Sequence, residues 1–298
     1  MTRAVVVINP LSGRGRYDNQ IQQHAALARD VLRNHDIEAL VRPTTAAGDA
    51  REFARQAAAD GYDLVIAWGG DGTINEAACA LAHTEVPLGI IPAGSGNGLA
   101  WDLGIPFDAR AALELAVTGR TWNIDAGQIN DCLFFNIAGI GIDAVIATRF
   151  AERGLRQRGP MAYAQLSLNE LIGYHAQTYA LTIDGQTVSH QALLIALANG
   201  RQYGNRVLIA PGAKLDDGLL EVVVVEQLSM LDIAWRLPSL FRGTLQPRRG
   251  ITMRAAANLT ITADGPIAFH VDGEPRVDDR ELTVTTHPGA LRVRAPAL

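Results

Sequence analysis

Apolar runs and amphipathic stretches alternate along the first third of the chain. Residues 4–8 (Ala-Val-Val-Val-Ile) form a continuous apolar run that stops at Asn9-Pro10, the pattern of a buried strand closed by a turn. Helical periodicity follows from about 18 to 34, then a short strand pattern at 37–42. The Ala-rich stretch 48–60 predicts a helix, 63–67 a strand, 73–82 a helix and 87–91 a strand. Near-continuous apolar strands alternating with helices predict a doubly wound parallel sheet covered on both faces.

Beyond residue 121 the pattern changes. The runs 132–138, 179–183, 192–198, 219–225, 258–262, 267–271 and 282–286 are rich in aliphatic and β-branched residues. Turn signals separate them at Asp184-Gly185, Asn199-Gly200, Asp217-Gly218, Asp264-Gly265, Asp272-Gly273 and Pro288-Gly289. This predicts an antiparallel β-sandwich with helical insertions at 141–174 and 229–242. The boundary falls near 120–128, giving an α/β domain over 1–125 and an all-β domain over 126–298.

With 298 residues, one large domain or two unequal ones are expected. Hydrophobic residues at 48% and charged residues at 19% match a soluble globular chain. A net charge of −5 argues against a nucleic-acid partner. Cys79 and Cys132 are too few for a disulfide framework, which fits a reducing cytoplasm. No run reaches the roughly 18 apolar residues that span a bilayer, so contact with lipid is expected to be peripheral. Lys214 is the sole lysine and Leu215 follows it, which excludes a Gly-Lys-Ser/Thr P-loop; the HExxH zinc motif is absent too.

Three glycine-rich loops fall where strands of the parallel sheet end: Asn9-Pro10-Leu11-Ser12-Gly13, Gly69-Gly70-Asp71-Gly72-Thr73, and Pro92-Ala-Gly-Ser95-Gly-Asn97. Ligands of such sheets bind at the carboxyl ends of the strands. Glycines let a backbone approach phosphate oxygens, and the following helix N-terminus supplies amides and a favourable dipole. Ser12, Thr73 and Ser95 add hydroxyls. Asp71 repels phosphate unless a cation or proton intervenes, so it reads as a Mg²⁺ ligand, a general base, or a cap for the helix after it. Any one loop alone reads as an ordinary turn; together they favour a phosphate-containing ligand.

The ordered set Asn9-Pro-x-Ser-Gly13, Gly69-Gly-Asp-Gly-Thr-Ile-Asn-Glu76 and Gly94-Ser-Gly-Asn97 resembles the diacylglycerol kinase/sphingosine kinase catalytic-domain family, in its bacterial lipid kinase form. Family-like segments continue at Asn123–Gly127, Asn136–Gly141, Lys214–Gly218 and Asp272-Gly273-Glu274. The resemblance implies ATP bound in a crevice between an α/β domain and a β-sandwich, and phosphate passed to a lipid hydroxyl. By position it implies that Asn9, Pro10, Ser12, Gly13, Thr44, Gly69, Gly70, Gly72, Thr73 and Ser95 contact ATP. It implies catalytic Mg²⁺ at Asp71 and Asp125, and a general base from Asp272 and Glu274. It further implies a structural Mg²⁺ on the Asp217 carboxylate and the carbonyls of Lys214 and Leu219. Read without the family, Asp272-Gly273 is a hairpin turn between 267–271 and 282–286, Asp125 a polar strand end, and 214–219 a loop.

Gly98-Leu99-Ala100 stands where many bacterial diacylglycerol kinases place an acid, closer to the sphingosine kinase pattern, which leaves other lipid alcohols open as acceptors. A NAD kinase-like enzyme and a catalytically silent nucleotide- or lipid-binding module are the rival readings. The first lacks a Thr-Gly-Ser-Thr-Ala-Tyr counterpart here, and the second has no use for carboxylates facing phosphate. From Ile233 to Ala263 the chain carries Arg236, Arg242, Arg248, Arg249 and Arg254 and no acid, interleaved with Trp235, Leu237, Leu240 and Phe241. A second basic group, Arg149, Arg153, Arg156 and Arg158, is opposed only by Glu152. Either these face an anionic membrane surface or they form a solvated face with its aromatics in the core.

Overall fold

The computed structural model describes residues 2–12, 17–152, 160–171, 173–204, 206–278 and 280–296. Two units divide the chain: Met1–Ile124 with Gly289–Leu298, and Asp125–Pro288.

In the first unit the apolar runs become β1 (Thr2–Ile8), β2 (Ile37–Pro43), β3 (Leu64–Gly69) and β4 (Leu88–Pro92). They pair in parallel in the order β2-β1-β3-β4. Ala4–Ile8 and all of β3 and β4 are buried, as strands covered on both faces must be. Helices α1 (Tyr17–Asn34) and α5 (Ala109–Thr118) pack together, and α2 (Asp49–Ala59) packs against α3 (Asp71–Leu81). A short helix, α4 (Gly98–Asp102), follows β4.

The second unit is antiparallel. It contains the second half of β5 (Arg120–Ile129), then β6 (Cys132–Phe134), β7 (Ile137–Gly141), β8 (Gln177–Ile183), β9 (Gln186–Ala198) and β10 (Leu220–Glu226). β11 (Ile251–Ala256), β12 (Asn258–Ala263), β13 (Ile267–Val271), β14 (Glu274–Asp278) and β15 (Glu281–Ala295) complete it. β9 is shared: its first half pairs with β8, and its second half with β7 and β10. Alternating residues of these strands, Tyr179, Leu181 and Ile183 of β8 among them, close a common apolar interior. The insertions fold as α6 (Ile142–Glu152), α7 (Pro160–Leu171) and α8 (Met230–Arg242). The α/β-plus-sandwich plan therefore stands.

Four local expectations change. The run 132–138 is broken, because the Phe135, Asn136 and Ile137 amides turn to the Asp272 carboxylate instead of a neighbouring strand. Asn199-Gly200 makes no hairpin: its amides bond the Asn136 carbonyl, and β10 begins only at Leu220. Asp272-Gly273 does turn a hairpin, but β13 pairs with β14 at 274–278 rather than with 282–286. Pro288-Gly289 does not reverse the chain. β15 continues through it, with Gly289 at φ +59°, and buries Ala290, Leu291, Val293 and Ala295 in the first unit. There Val293 pairs in parallel with Leu88, and Pro296 accepts a bond from the Trp122 indole at 3.0 Å.

Gly89 shows how tightly α5 lies on the parallel sheet, since a Cβ there would come within 2.7 Å of the Ala116 Cβ. Overpacking of this kind typically costs about 1–3 kcal/mol. Gly89→Val is expected to lower the urea-unfolding free energy by roughly that amount. A midpoint unchanged from the native protein would show that α5 is free to shift.

Candidate functional site

β1, β3 and β4 deliver their loops to the same edge of the first unit. At the end of β1, Asn9 donates its amide to the Trp68 carbonyl at 2.9 Å and its Nδ2–H to Thr73 Oγ1 at 2.9 Å. Asn9 Oδ1 accepts the Leu11 amide and its carbonyl accepts the Ser12 amide, so the side chain and backbone both fold the 9–12 turn. Pro10 and Ser12 are half-buried in that turn; Gly13 lies outside the described residues. Thr44, buried just past β2, donates its amide to the Ile8 carbonyl at 2.8 Å.

Gly69 ends β3 because no Cβ fits: it would lie 2.5 Å from the Thr73 Cβ. Gly70 and Gly94 face each other across the β3–α3 and β4–α4 loops, where a Cβ on Gly94 would sit 2.6 Å from the Gly70 Cα. Gly70, the N-cap of α3, has no side chain with which to answer the first-turn amides. Amides in that state, with the helix dipole behind them, suit an anion. Thr73 is buried, and Ser95 is half-buried in the β4–α4 loop. Asp71 does not cap its own helix. Its two carboxylate oxygens accept the Asn97 and Gly98 amides at 2.9 Å each and so fix the start of α4, with Asn97 held at φ +54°. Asn97 Oδ1 accepts the Gly94 amide at 2.8 Å, which tightens the same loop. The ATP-directed residues expected in this unit, Gly13 apart, thus lie on neighbouring loops beyond the strand ends.

The remaining candidates belong to the second unit, in two groups. Asp125, 2% exposed, accepts the Gly218 amide on Oδ2 at 2.6 Å and donates its own amide to the Leu215 carbonyl at 2.6 Å. The 214–219 loop is therefore held against Asp125. Lys214, Asp217 and Leu219 are exposed there, and Asp217 Oδ1 accepts the Leu219 amide at 3.1 Å. Burial and the Asp217 charge raise the pKa of Glu221. The Asp217 carboxylate with backbone carbonyls at hand is the kind of donor set that fits a hard cation. Among the described residues no three His, Cys, Asp or Glu side chains form a ready-made cage, so carbonyls and waters would have to complete a coordination shell.

Asp272 and Glu274 form the other group. Asp272, at φ +47°, accepts the amides of Phe135, Asn136 and Ile137 at 2.9, 2.9 and 3.1 Å. Glu274 opens β14 and is exposed. Residues without a predicted role hold this turn. His270, 3% exposed, accepts the Gly273 amide on Nδ1 at 3.2 Å, which leaves the ring proton on Nε2, 2.8 Å from Asp143 Oδ2 at the start of α6. Asn199 donates through Nδ2 to the Asp125 and Phe135 carbonyls at 2.9 and 2.8 Å, linking the two groups. Asn136 Oδ1 and Asn199 Oδ1 are buried without a donor, and buried amide oxygens of that kind suit a hydrated cation or an ordered water. A signal existed for Asn136 and Asp143, within or next to the 136–141 segment; His270 and Asn199 carried none.

Comparison with known proteins agrees with this geometry. Residues 3–129 match the diacylglycerol kinase catalytic domain, and residues 136–295 match the YegS C-terminal NAD kinase beta sandwich-like domain. A relative from Cronobacter sakazakii named "Probable lipid kinase YegS-like" is 33% identical, covering 99% of this chain and 98% of that protein. A "Diacylglycerol kinase" of Mycobacterium tuberculosis is 32% identical over 99% of this chain and 95% of its own length. Two solved structures from Bacillus anthracis str. Sterne share the fold over 98% of this chain. One, described as a diacylglycerol kinase, has a TM-score of 0.72 at 21% identity and is covered over 96%; the other has 0.81 at 22% and is covered over 95%.

Gly139 is the test of the His270–Asp143 clamp, because a Cβ there would collide with Asp143 Oδ2 and lie 2.5 Å from His270 Nε2. Separating a buried, bonded pair costs roughly 2–4 kcal/mol. Gly139→Ala is expected to lower stability by that amount in a denaturant titration, while a loss below about 0.5 kcal/mol would show the pair to be dispensable.

Proposed function

The chain belongs to the family of bacterial lipid kinases built on the diacylglycerol kinase catalytic domain, and from that membership we propose that it transfers the γ-phosphate of ATP to the hydroxyl of a lipid alcohol, diacylglycerol or a relative of it. The observation that carries the reading is the convergence of Asn9–Ser12, Gly69–Thr73 and Gly94–Asn97 beyond the carboxyl ends of one parallel sheet, at the N-terminus of α3.

Phosphoryl transfer asks a protein chiefly to position the reactants and offset charge. Thr44, Thr73, Ser95 and the Gly69, Gly70 and Gly72 backbone orient the phosphates, and the Asn9–Thr73 bond holds two of their loops in register. Asp71 keeps the Gly94–Gly98 backbone at its distance from α3 and puts a carboxylate between the two loops. Mg²⁺, when bound, neutralises phosphate charge; Asp71 and Asp125 would each serve as a ligand of catalytic metal, and Asp217 with the Lys214 and Leu219 carbonyls would hold a structural ion. Asp272 is committed to three amides, so Glu274, exposed beside it, takes the acceptor hydroxyl's proton. A long-chain acceptor stays in its bilayer, so the enzyme works at a membrane surface. No helix among the described residues is long and apolar enough to cross one.

Incubating the protein with radiolabelled ATP and extracted lipid, with NAD, or with no acceptor tests the assignment, the product being identified by mass. Label appearing in NAD, or in nothing, would overturn it. Asp71→Asn is expected to cut turnover by about 100-fold or more while costing only about 1–3 kcal/mol of stability, since one of two amides loses its acceptor. Wild-type turnover in that variant would remove Asp71 from the machinery. Glu274→Gln is expected to lower kcat by roughly 10²–10⁴-fold with the KM for ATP nearly unchanged. A variant that loses ATP affinity and keeps kcat would leave Glu274 a hairpin residue.

A further inference from the structure

Helix α8 is amphipathic in the wrong sense for a covering helix. Its inward side is narrow: Ile233 packs with Ile142, Ile146 and Leu166, and Leu240 packs on the cluster around Val223 and Ile251. Between them the Arg236 side chain, 15% exposed, is tied to Asp232 at 3.1 Å and to the Arg249 carbonyl at 3.3 Å. The outward side is where the apolar bulk lies. Leu231 is 84% exposed and Trp235 82%, with Phe241 at 54% and Leu237 at 48%. At ~100° per residue, Leu231, Trp235, Pro238 and Arg242 share one stripe about 60° wide, with Phe241 about 60° beyond its edge and Leu237 about 40° further round. A Ser229 cap on the Asp232 amide and a left-handed Gly243 delimit the helix, with Pro238 inside it.

Charge singles out the occupant. Arg242, Arg248 and Arg249 are exposed at and just beyond the end of the helix, and no carboxylate among the described residues pairs with them, whereas Arg236 and Arg254 are taken by Asp232 and Asp184. The alternative of aromatics folded into the core is overturned for Trp235 and Phe241. Arg153, Arg156 and Arg158 lie outside the described residues. An apolar stripe with tryptophan and a cationic border is the pattern that lies in the headgroup layer of an anionic bilayer, apolar side down. Resting on the lipid-kinase reading for its partner, we infer that α8 is the membrane-docking element: Leu231, Trp235 and Phe241 enter the acyl boundary, and Arg242, Arg248 and Arg249 meet lipid phosphates.

Trp235 reports on this directly, because Trp68 is 2% exposed and a Trp235→Phe protein gives the background of the other indoles. Vesicles of equal parts phosphatidylglycerol and phosphatidylcholine are expected to shift Trp235 emission to the blue. Brominated acyl chains should quench it, and the protein should sediment with the vesicles less at high salt. Leu231→Ala/Trp235→Ala and Arg248→Glu/Arg249→Glu proteins should each lose about tenfold or more in partitioning, with unchanged melting and unchanged phosphorylation of a short-chain, water-soluble acceptor. Sedimentation of these variants equal to wild type, equal binding to pure phosphatidylcholine, or an emission shift that follows protein concentration without lipid would overturn the proposal, the last by assigning the face to a second copy of the chain. Failure of every form to phosphorylate the soluble acceptor strikes the kinase reading instead, because docking is decided by the vesicles alone.

Discussion

Two backbones can approach only as closely as the side chains between them permit, and at the carboxyl edge of the parallel sheet the β3–α3 and β4–α4 loops meet glycine to glycine. Gly70 and Gly94 leave no room for a Cβ, and the Asp71 carboxylate closes the gap by accepting the Asn97 and Gly98 amides. Were those loops further apart, the start of α3 and the β4–α4 backbone could not present amides to one polyanion. The contact also dictates the neighbours. Gly69 must lack a side chain so that Thr73 can lie over it, and Thr73 in turn receives the Asn9 amide hydrogen that brings in the β1 loop. A single close approach thus organises three loops.

The second unit uses the same device on different elements. Asp125 anchors the 214–219 loop through the Gly218 amide, and Asp272 gathers three amides of the 135–137 turn. In each case a carboxylate answers backbone donors that a tight loop leaves over, which is worth more than a neutral bond because the acceptor is charged. Such an aspartate is a poor thing to judge by type alone. Anchoring and chemistry draw on the same oxygens: Asp272 spends its own on three amides, whereas Glu274, one carbon longer, is exposed.

Both units were legible because their patterns differ: apolar strands alternating with helices before residue 121, aliphatic and β-branched runs separated by Asp-Gly, Asn-Gly and Pro-Gly signals after it. What stayed illegible was any strand or turn whose hydrogen bonds go to a side chain distant in sequence. The break at Phe135-Asn136 depends on Asp272, more than a hundred residues on, and the passage of β15 through Pro288-Gly289 depends on an apolar berth beside β4. β5 escaped notice because Arg120–Asn123 is polar and mostly exposed. The glycine-rich loops were readable from glycines at strand ends, since glycine there answers a local steric demand. The clamp of His270 on Asp143 was not, because 127 residues separate two groups that meet only once β13 lies beside β7.

Helix α8 carries the same lesson about period to its limit. A 3.6-residue period in hydrophobicity says that one side differs from the other, and by itself says nothing of which side faces the protein. Ordinarily the apolar side is inward by default, since water is the only alternative. Here Ile233 and Leu240 suffice to hold the helix, and Arg236 reaches inward to the Arg249 carbonyl, so the larger apolar surface is left outside. An exposed tryptophan beside an exposed leucine and phenylalanine on one helix is the kind of apolar patch that marks an interaction surface. If α8 docks on a bilayer as inferred above, burial has two reference solvents rather than one, and the orientation of the helix would follow from the second.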